Sequence, residues 1–198
     1  TASYRAIEQG MGIFEDKLKY MRWERQVRLM QRAEQLLTEA GLTHPTRPIP
    51  LKLAVPLLEA ASLEDDDSLQ DLWVRLLVNA ANVQSRTTLQ RAYISILEQL
   101  TPLEASILLN IYSLPYEQTR HDGVKVGLLP AEVVVGKDDG KGDSLPEPSK
   151  EVKLALANLA RLGCIIIQKS WGGGELFQSV NPTLLGKSFV EACTLQTG

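Results

Sequence analysis

The stretch KEVKLALANLARLGCIIIQKSWGGGELFQSVNPTLLGKSFV, residues 150–190, passes from a helical hydrophobic period to a strand pattern and back, and that succession decides the fold. Val152, Leu156 and Leu159 recur at three- and four-residue spacing, which places them on one face of a helix that should end at Gly163. Cys164-Ile165-Ile166-Ile167 is short, apolar and β-branched, so it reads as a strand. Gly172-Gly173-Gly174 can then reverse the chain into Glu175–Val180, giving one β-hairpin. Asn181-Pro182 is expected to open a last helix carrying Leu184, Leu185, Phe189 and Val190.

Upstream of this segment, residues 115–148 read as mostly irregular, with a short helix around Pro130–Val134 and a Gly/Asp/Lys-rich loop at Gly136–Asp143. Before them, Thr101-Pro102-x-Glu104 has the form of an N-cap, a proline at the first helical position and an acidic first turn. Ile107, Leu108, Ile111 and Tyr112 follow on the helix this opens, and Tyr93, Ile96, Leu97 and Leu100 form a helix before it. Asp67 or Ser68 is expected to cap a helix with Leu69, Leu72, Trp73, Leu76 and Leu77 on its buried side. Pro56 lacks an amide donor and should break any helix running from Leu51 to Ala61.

At the N-terminal end Ile7, Met11, Phe14, Leu18 and Met21 form one stripe of an amphipathic helix. Arg25 and Arg28 take its next positions, while Trp23, Val27, Met30 and Leu37 start a displaced face that ends near Gly41. A bend or a change of packing partner near residues 21–24 would reconcile the two. The fold expected from these signals is mostly α: a helical bundle over residues 1–100, then an α+β unit over 101–198 with one β-hairpin.

Composition narrows the function classes. The chain has 198 residues, of which 44% are hydrophobic and 23% charged, the balance of an ordinary globular protein with one large or two small domains. No apolar run approaches the roughly 20 residues that span a bilayer, so no integral membrane segment is expected. No signal peptide is read at the start, and two cysteines with nothing else pointing to secretion favour the cytoplasm. The net charge of −3 opposes a protein that coats nucleic acid through a global positive field. The charge is uneven, however. Residues 101–148 carry 4 positive and 8 negative groups, a net −4, whereas residues 149–198 carry 5 and 3, a net +2. Only the C-terminal segment suits a polyanion.

A second set of residues carries a resemblance. Arg28-Leu29 through Leu37, Pro50-Leu51-Lys52-Leu53, Pro56-Leu57-Leu58-Glu59-Ala60-Ala61-Ser62-Leu63-Glu64-Asp65 and Leu69-Gln70-Asp71-Leu72-Trp73 stand in order, followed by Leu76-Leu77 and Asn79-Ala80. Together with Ile96-Leu97-Glu98-Gln99-Leu100-Thr101-Pro102-Leu103-Glu104-Ala105 they resemble the Abi-alpha family, associated with bacterial abortive infection. The resemblance covers roughly the first half to three-fifths of the chain. It implies a part in phage defence and supplies no catalytic residues. The C-terminal order of helix, strand, Gly-rich turn, strand and helix is similar to a winged helix, with Thr101–Leu114 as its first helix.

Candidate sites follow from chemistry. Lys150, Lys153, Ala157 and Arg161 share a helix face opposite Val152, Leu156 and Leu159, and Lys169 and Trp171 at the hairpin turn add a charge and a stacking surface. This is the nucleic-acid candidate, and DNA the partner it fits; a solvated charged face is the plainer reading. The stripe Ile7, Met11, Phe14, Leu18 and Met21 is the candidate surface for a protein partner or a second copy, against ordinary packing in the chain's own core. Glu64-Asp65-Asp66-Asp67 lacks the alternating ligands and glycine of a calcium loop and sits where negative charge favours a helix start. Neither Cys164 and Cys193 nor His44 and His121 form a zinc or nucleophile motif. No catalytic residue, metal or cofactor is therefore assigned, and the expected function is a non-enzymatic defence protein that acts by binding, with a winged-helix DNA-binding regulator as the alternative.

Overall fold

The computed structural model describes residues 2–39, 41–136 and 146–195, with side chains from residue 19 onward. These residues form two compact units, one built on the chain up to Ile94 and one on Ser95–Thr194. The class is mostly α, with one small antiparallel sheet in the C-terminal half.

The first unit packs three helices: α1 (Ala2–Glu39), α2 (Leu51–Ala61) and α3 (Asp67–Ala81). Helix α1 is uninterrupted through residues 21–24, where the sequence calls for a bend or a change of packing partner. Leu29, Ala33 and Leu36 are buried on one face; Arg22 and Arg25 extend that face toward the N-terminus by hydrogen bonding, and Arg32 flanks it. Arg22 donates to the Ser62 hydroxyl at 3.1 Å, Arg25 to the Leu63 carbonyl at 3.2 Å and Arg32 to the Asp71 carboxylate at 3.2 Å. Trp23 and Met30, on the displaced face read from sequence, are exposed. The helix ends as expected at Gly41, whose φ of 73° only glycine adopts without strain. There the Gly41 amide donates to Thr38 and the Leu42 amide to Leu37, the paired bonds of a Schellman cap.

Helix α2 runs straight through Pro56, against the expected break. The carbonyl that loses its partner belongs to Lys52, an exposed residue in the first turn, where water can replace the missing donor. Helix α3 is capped one residue earlier than expected. The Asp66 carboxylate accepts from the amides of Ser68 at 2.9 Å and Leu69 at 3.0 Å, because only Asp66 combines extended backbone with a short acceptor at that point. Trp73 is buried at the centre of this unit, and its indole N–H finds no acceptor among the described residues. The proline-rich connector between α1 and α2 is fixed by Arg47, which donates to the carbonyls of Thr87, Val83 and Ser85.

Helix α4 (Arg91–Leu97) leads into the second unit. Helix α5 (Pro102–Ser113) opens with the capping box read from sequence: Thr101 accepts from the Glu104 amide and Glu104 returns the bond to the Thr101 amide. The region expected to be irregular is more ordered than its composition indicated, with α6 (Tyr116–Asp122), β1 (Val124–Lys125) and β2 (Val134–Val135). The short helix expected at Pro130–Val134 is replaced by turns and a strand, since the β-branched run Val133-Val134-Val135 fits a ladder better than a helix. Gly136 is described; the rest of the Gly136–Asp143 loop lies outside the described residues.

Helix α7 (Lys150–Arg161), β3 (Ile165–Lys169), β4 (Glu175–Pro182) and α8 (Leu184–Ala192) complete the unit. Gly163, at φ 76°, closes α7 with the same paired bonds seen at Gly41. The sheet is antiparallel throughout, in the order β2-β1-β4-β3, so the single expected hairpin is one half of a four-stranded sheet. Its register slips between Ile167↔Val180 and Gln168↔Leu176. There β4 bulges away from β3 and pairs with β1, through Lys125↔Ser179 and a Val126 amide bond to the Gln178 carbonyl.

Asn181 and Pro182 finish β4, whereas the sequence reading started the last helix with them. Strand β1 ends opposite Val180, so Pro182 has no strand on its second side and the missing donor breaks no ladder. The cap of α8 is Thr183, whose hydroxyl accepts from the Gly186 amide at 3.0 Å. A Cβ at Gly186 would overlap the Tyr112 hydroxyl and the Cys164 carbonyl, and the carbonyl is backbone that cannot swing away. Gly186→Ala should therefore lower stability by about 2–3 kcal/mol, the usual range for overpacking, read as a shift in the urea midpoint at unchanged slope.

Candidate functional site

The C-terminal unit presents two surfaces of functional interest, the outer face of α7 and the tip of the β3–β4 hairpin, and both are set by one junction. The Tyr112 hydroxyl, on α5, donates to the Cys164 carbonyl at 2.5 Å and accepts from the Thr183 amide at 2.9 Å. Thr183 in turn donates from its hydroxyl to the carbonyls of Gly163 at 2.7 Å and Cys164 at 3.1 Å. The end of α7, the start of β3 and the start of α8 thus meet on two hydroxyls. Burial pushes the Tyr112 phenol up to about 12, against the lowering effect of its bonds with Thr183. Burial also pushes the Cys164 thiol up to about 12, so near neutral pH this sulfur is a protonated, packed group and a poor nucleophile.

The sequence-predicted cations do not act as one free patch. Lys150 is exposed at the start of α7. Lys153 is half-buried, paired with the Glu147 carboxylate and placed 5.8 Å from the centre of the Phe177 ring. Arg161 is exposed but donates to Asn158 Oδ1 and, at 2.9 Å, to Gln99 Oε1. Asn158 passes the network inward, donating to the buried Glu104 carboxylate at 2.8 Å. Arg161 thereby braces α7 against the capping box of α5. Between Lys150 and Arg161 on the same face stands Leu154, 63% exposed, which the sequence reading missed because an isolated leucine off the core stripe carries no signal by itself.

At the hairpin tip the turn is braced by Ser170. Its amide donates to the Gly174 carbonyl, its carbonyl accepts from Gly173, and its hydroxyl accepts from the Gly174 amide at 3.0 Å. Trp171 stands on this braced turn fully exposed, with exposed Lys169 beside it. The arrangement can stack an aromatic plane on a flat ligand while one ammonium reaches an anion.

In the N-terminal unit, the side chains of Ile7, Met11, Phe14 and Leu18 lie outside the described residues, and Met21 is exposed. The acidic run serves α1 and α3. Glu64 accepts from the amides of Asp65 and Asp66, Asp66 caps α3, and Asp65 lies 3.9 Å from Arg25. Hydrogen bonds from Ser68 and the Leu69 amide hold the Asp66 carboxyl below its ordinary value. Among the described residues no group of three His, Cys, Asp or Glu is placed to hold a metal ion, and no described helix is long and apolar enough to cross a membrane.

These elements define a mostly helical protein with a small antiparallel sheet. Residues 24–193 match the family model described as abortive infection alpha, and the chain belongs to that family. The match runs through the C-terminal unit, well past the half to three-fifths of the chain that carries the resemblance in sequence. No curated protein and no solved structure matches the chain. Family membership points to a role in abortive-infection phage defence.

The raised Tyr112 and Cys164 values predict alkaline sensitivity. Both groups hold their protons more tightly when folded, so their stabilisation is complete below the unfolded values near 9 and 10 and is lost as pH rises toward about 12. Tyr112→Phe should melt lower than the wild type at pH 8, and the gap should narrow between pH 10 and 12. A gap constant across that range would show that the phenol does not titrate with unfolding.

Proposed function

We propose that this chain works in abortive infection as a non-enzymatic binding module in the bacterial cytoplasm. The observation that carries the reading is the family match over residues 24–193. It is supported by how the chemically capable side chains are used: Cys164 is buried and protonated, Tyr112 is committed to the backbone, and the acidic run is committed to caps and an arginine. The surface contributes exposed Trp171 and Leu154, groups that gain free energy by contact. Cells carrying the intact gene should yield fewer phage, with infected hosts dying early, than cells lacking it. Equal phage yield and equal host survival across a broad panel would sink the proposal.

The alternative we carry is a winged-helix DNA-binding regulator, and it starts from the order of the elements. Strands β1, β4 and β3 lie side by side after α5 and α6, with α7 immediately before the hairpin, the arrangement in which a helix and a hairpin tip can both reach a duplex. On this reading Lys150, Arg161 and Lys169 meet phosphates, Lys153 does so after releasing Glu147, and Trp171 lies against the sugar edge. Removing any one of these phosphate-binding cations should reduce the slope of log affinity against log salt by about 1. Lys150→Glu with Lys169→Glu should weaken duplex binding at least tenfold while leaving the melting temperature unchanged. Absence of binding by the wild type at low salt would end this reading.

A further inference from the structure

Among the described residues, four apolar side chains of α1 that lie off the core face follow a pattern of their own. Tyr20, Trp23, Val27 and Met30 are spaced by three, four and three residues, the a/d spacing of a helix that packs lengthwise against another helix. Tyr20 is 63%, Trp23 59% and Met30 50% exposed, Val27 between them is half-buried, and the Tyr20 and Trp23 rings already touch, with centroids 6.1 Å apart. This seam lies well round the helix from Leu29, Ala33 and Leu36, so the packing of α1 against its own unit does not use it. Helix α1 also outruns what it packs on. Its 38 residues extend for about 57 Å, while the 15 residues of α3 extend for about 22 Å.

We infer that the Tyr20–Trp23–Val27–Met30 seam pairs with the same seam of a second copy, antiparallel, about a two-fold axis at Val27. The polar residue that continues the seam decides the occupant and its direction. Tyr20 and Glu34 lie seven residues before and after Val27, so reversing one helix about that point brings the phenol hydroxyl of one copy level with the Glu34 carboxylate of the other. The same operation sets Val27 on Val27 and brings Trp23 beside Met30, a favourable aromatic–thioether contact. A parallel, in-register pair would stack Glu34 on Glu34 and oppose itself. The seam is thus complementary to its own reverse, which an isologous interface requires and a surface evolved for an unrelated partner does not. Pairing concentrates the C-terminal surfaces two to a particle, and it stands whether or not the defence reading does.

Sedimentation of the full chain at roughly tens of micromolar should give twice the 21.9 kDa monomer mass, and Trp23→Asp should return it to monomer, with dissociation at least tenfold easier. Its circular dichroism should stay as in the wild type, because Trp23 is outside the core, and its melting temperature should match that of the wild type diluted until it is monomeric. Val27→Cys should cross-link to itself on mild oxidation. Glu34→Cys should not cross-link to itself but should cross-link to Tyr20→Cys in a mixture of the two. A monomeric wild type overturns the inference, including a monomer that instead sediments with anionic vesicles in a Trp23-dependent manner. So does a dimer indifferent to Trp23→Asp, while self-linking by Glu34→Cys overturns the antiparallel direction.

Discussion

One phenol oxygen organises the C-terminal unit. Tyr112 serves two backbone groups that meet there: the Cys164 carbonyl at the end of the α7 cap, which it shares with the Thr183 hydroxyl, and the Thr183 amide at the start of α8. A buried carbonyl without a donor costs roughly 1–3 kcal/mol, so a side chain that serves a carbonyl and an amide at once is worth more than its number of bonds. Gly186 is the steric counterpart of that junction, since any side chain there would displace the hydroxyl. The orientation of α7, and with it everything the α7 face and the hairpin present, depends on this interaction holding.

The first unit solves a different problem. A helix as long as α1 needs a wide apolar stripe to stay packed, yet residues 22, 25 and 32 are arginines. Their guanidiniums lie along the packing face and end on Ser62, the Leu63 carbonyl and Asp71, so their stems supply apolar contact and their heads supply hydrogen bonds to loop and helix. The acidic run is explained by the same arrangement. It stabilises the start of α3 and receives Arg25, which accounts for its charge without a bound cation.

The same economy weakens the nucleic-acid candidate. Lys153 and Arg161 are drawn inward by Glu147, Phe177, Gln99 and Asn158, so binding a phosphate would have to compete with interactions the fold already makes. The hairpin tip carries no such conflict, because Trp171 is held up by its turn and Lys169 is exposed beside it.

Local signals in the sequence determined the elements with local causes. The Thr101 capping box, the Gly41 and Gly163 terminations, the α7 stripe and the β3–β4 hairpin each depend on residues within a few positions of one another, and each stands in the structure where the sequence puts it. What required partners distant in sequence was not legible. The pairing of Val124 with Val180 created two strands in a segment that looked irregular, and where the apolar phase of α1 changes the helix continues uninterrupted with arginines bonded to residues 62–71. The candidate surfaces divide in the same way. Periodicity placed Lys150, Lys153 and Arg161 on one helix face, but only tertiary packing decided that two of them are occupied, and that Tyr20, Trp23 and Met30 are left open on α1. A repeat along a helix fixes which side chains share a side; which side meets the core is set by what the rest of the chain brings against it.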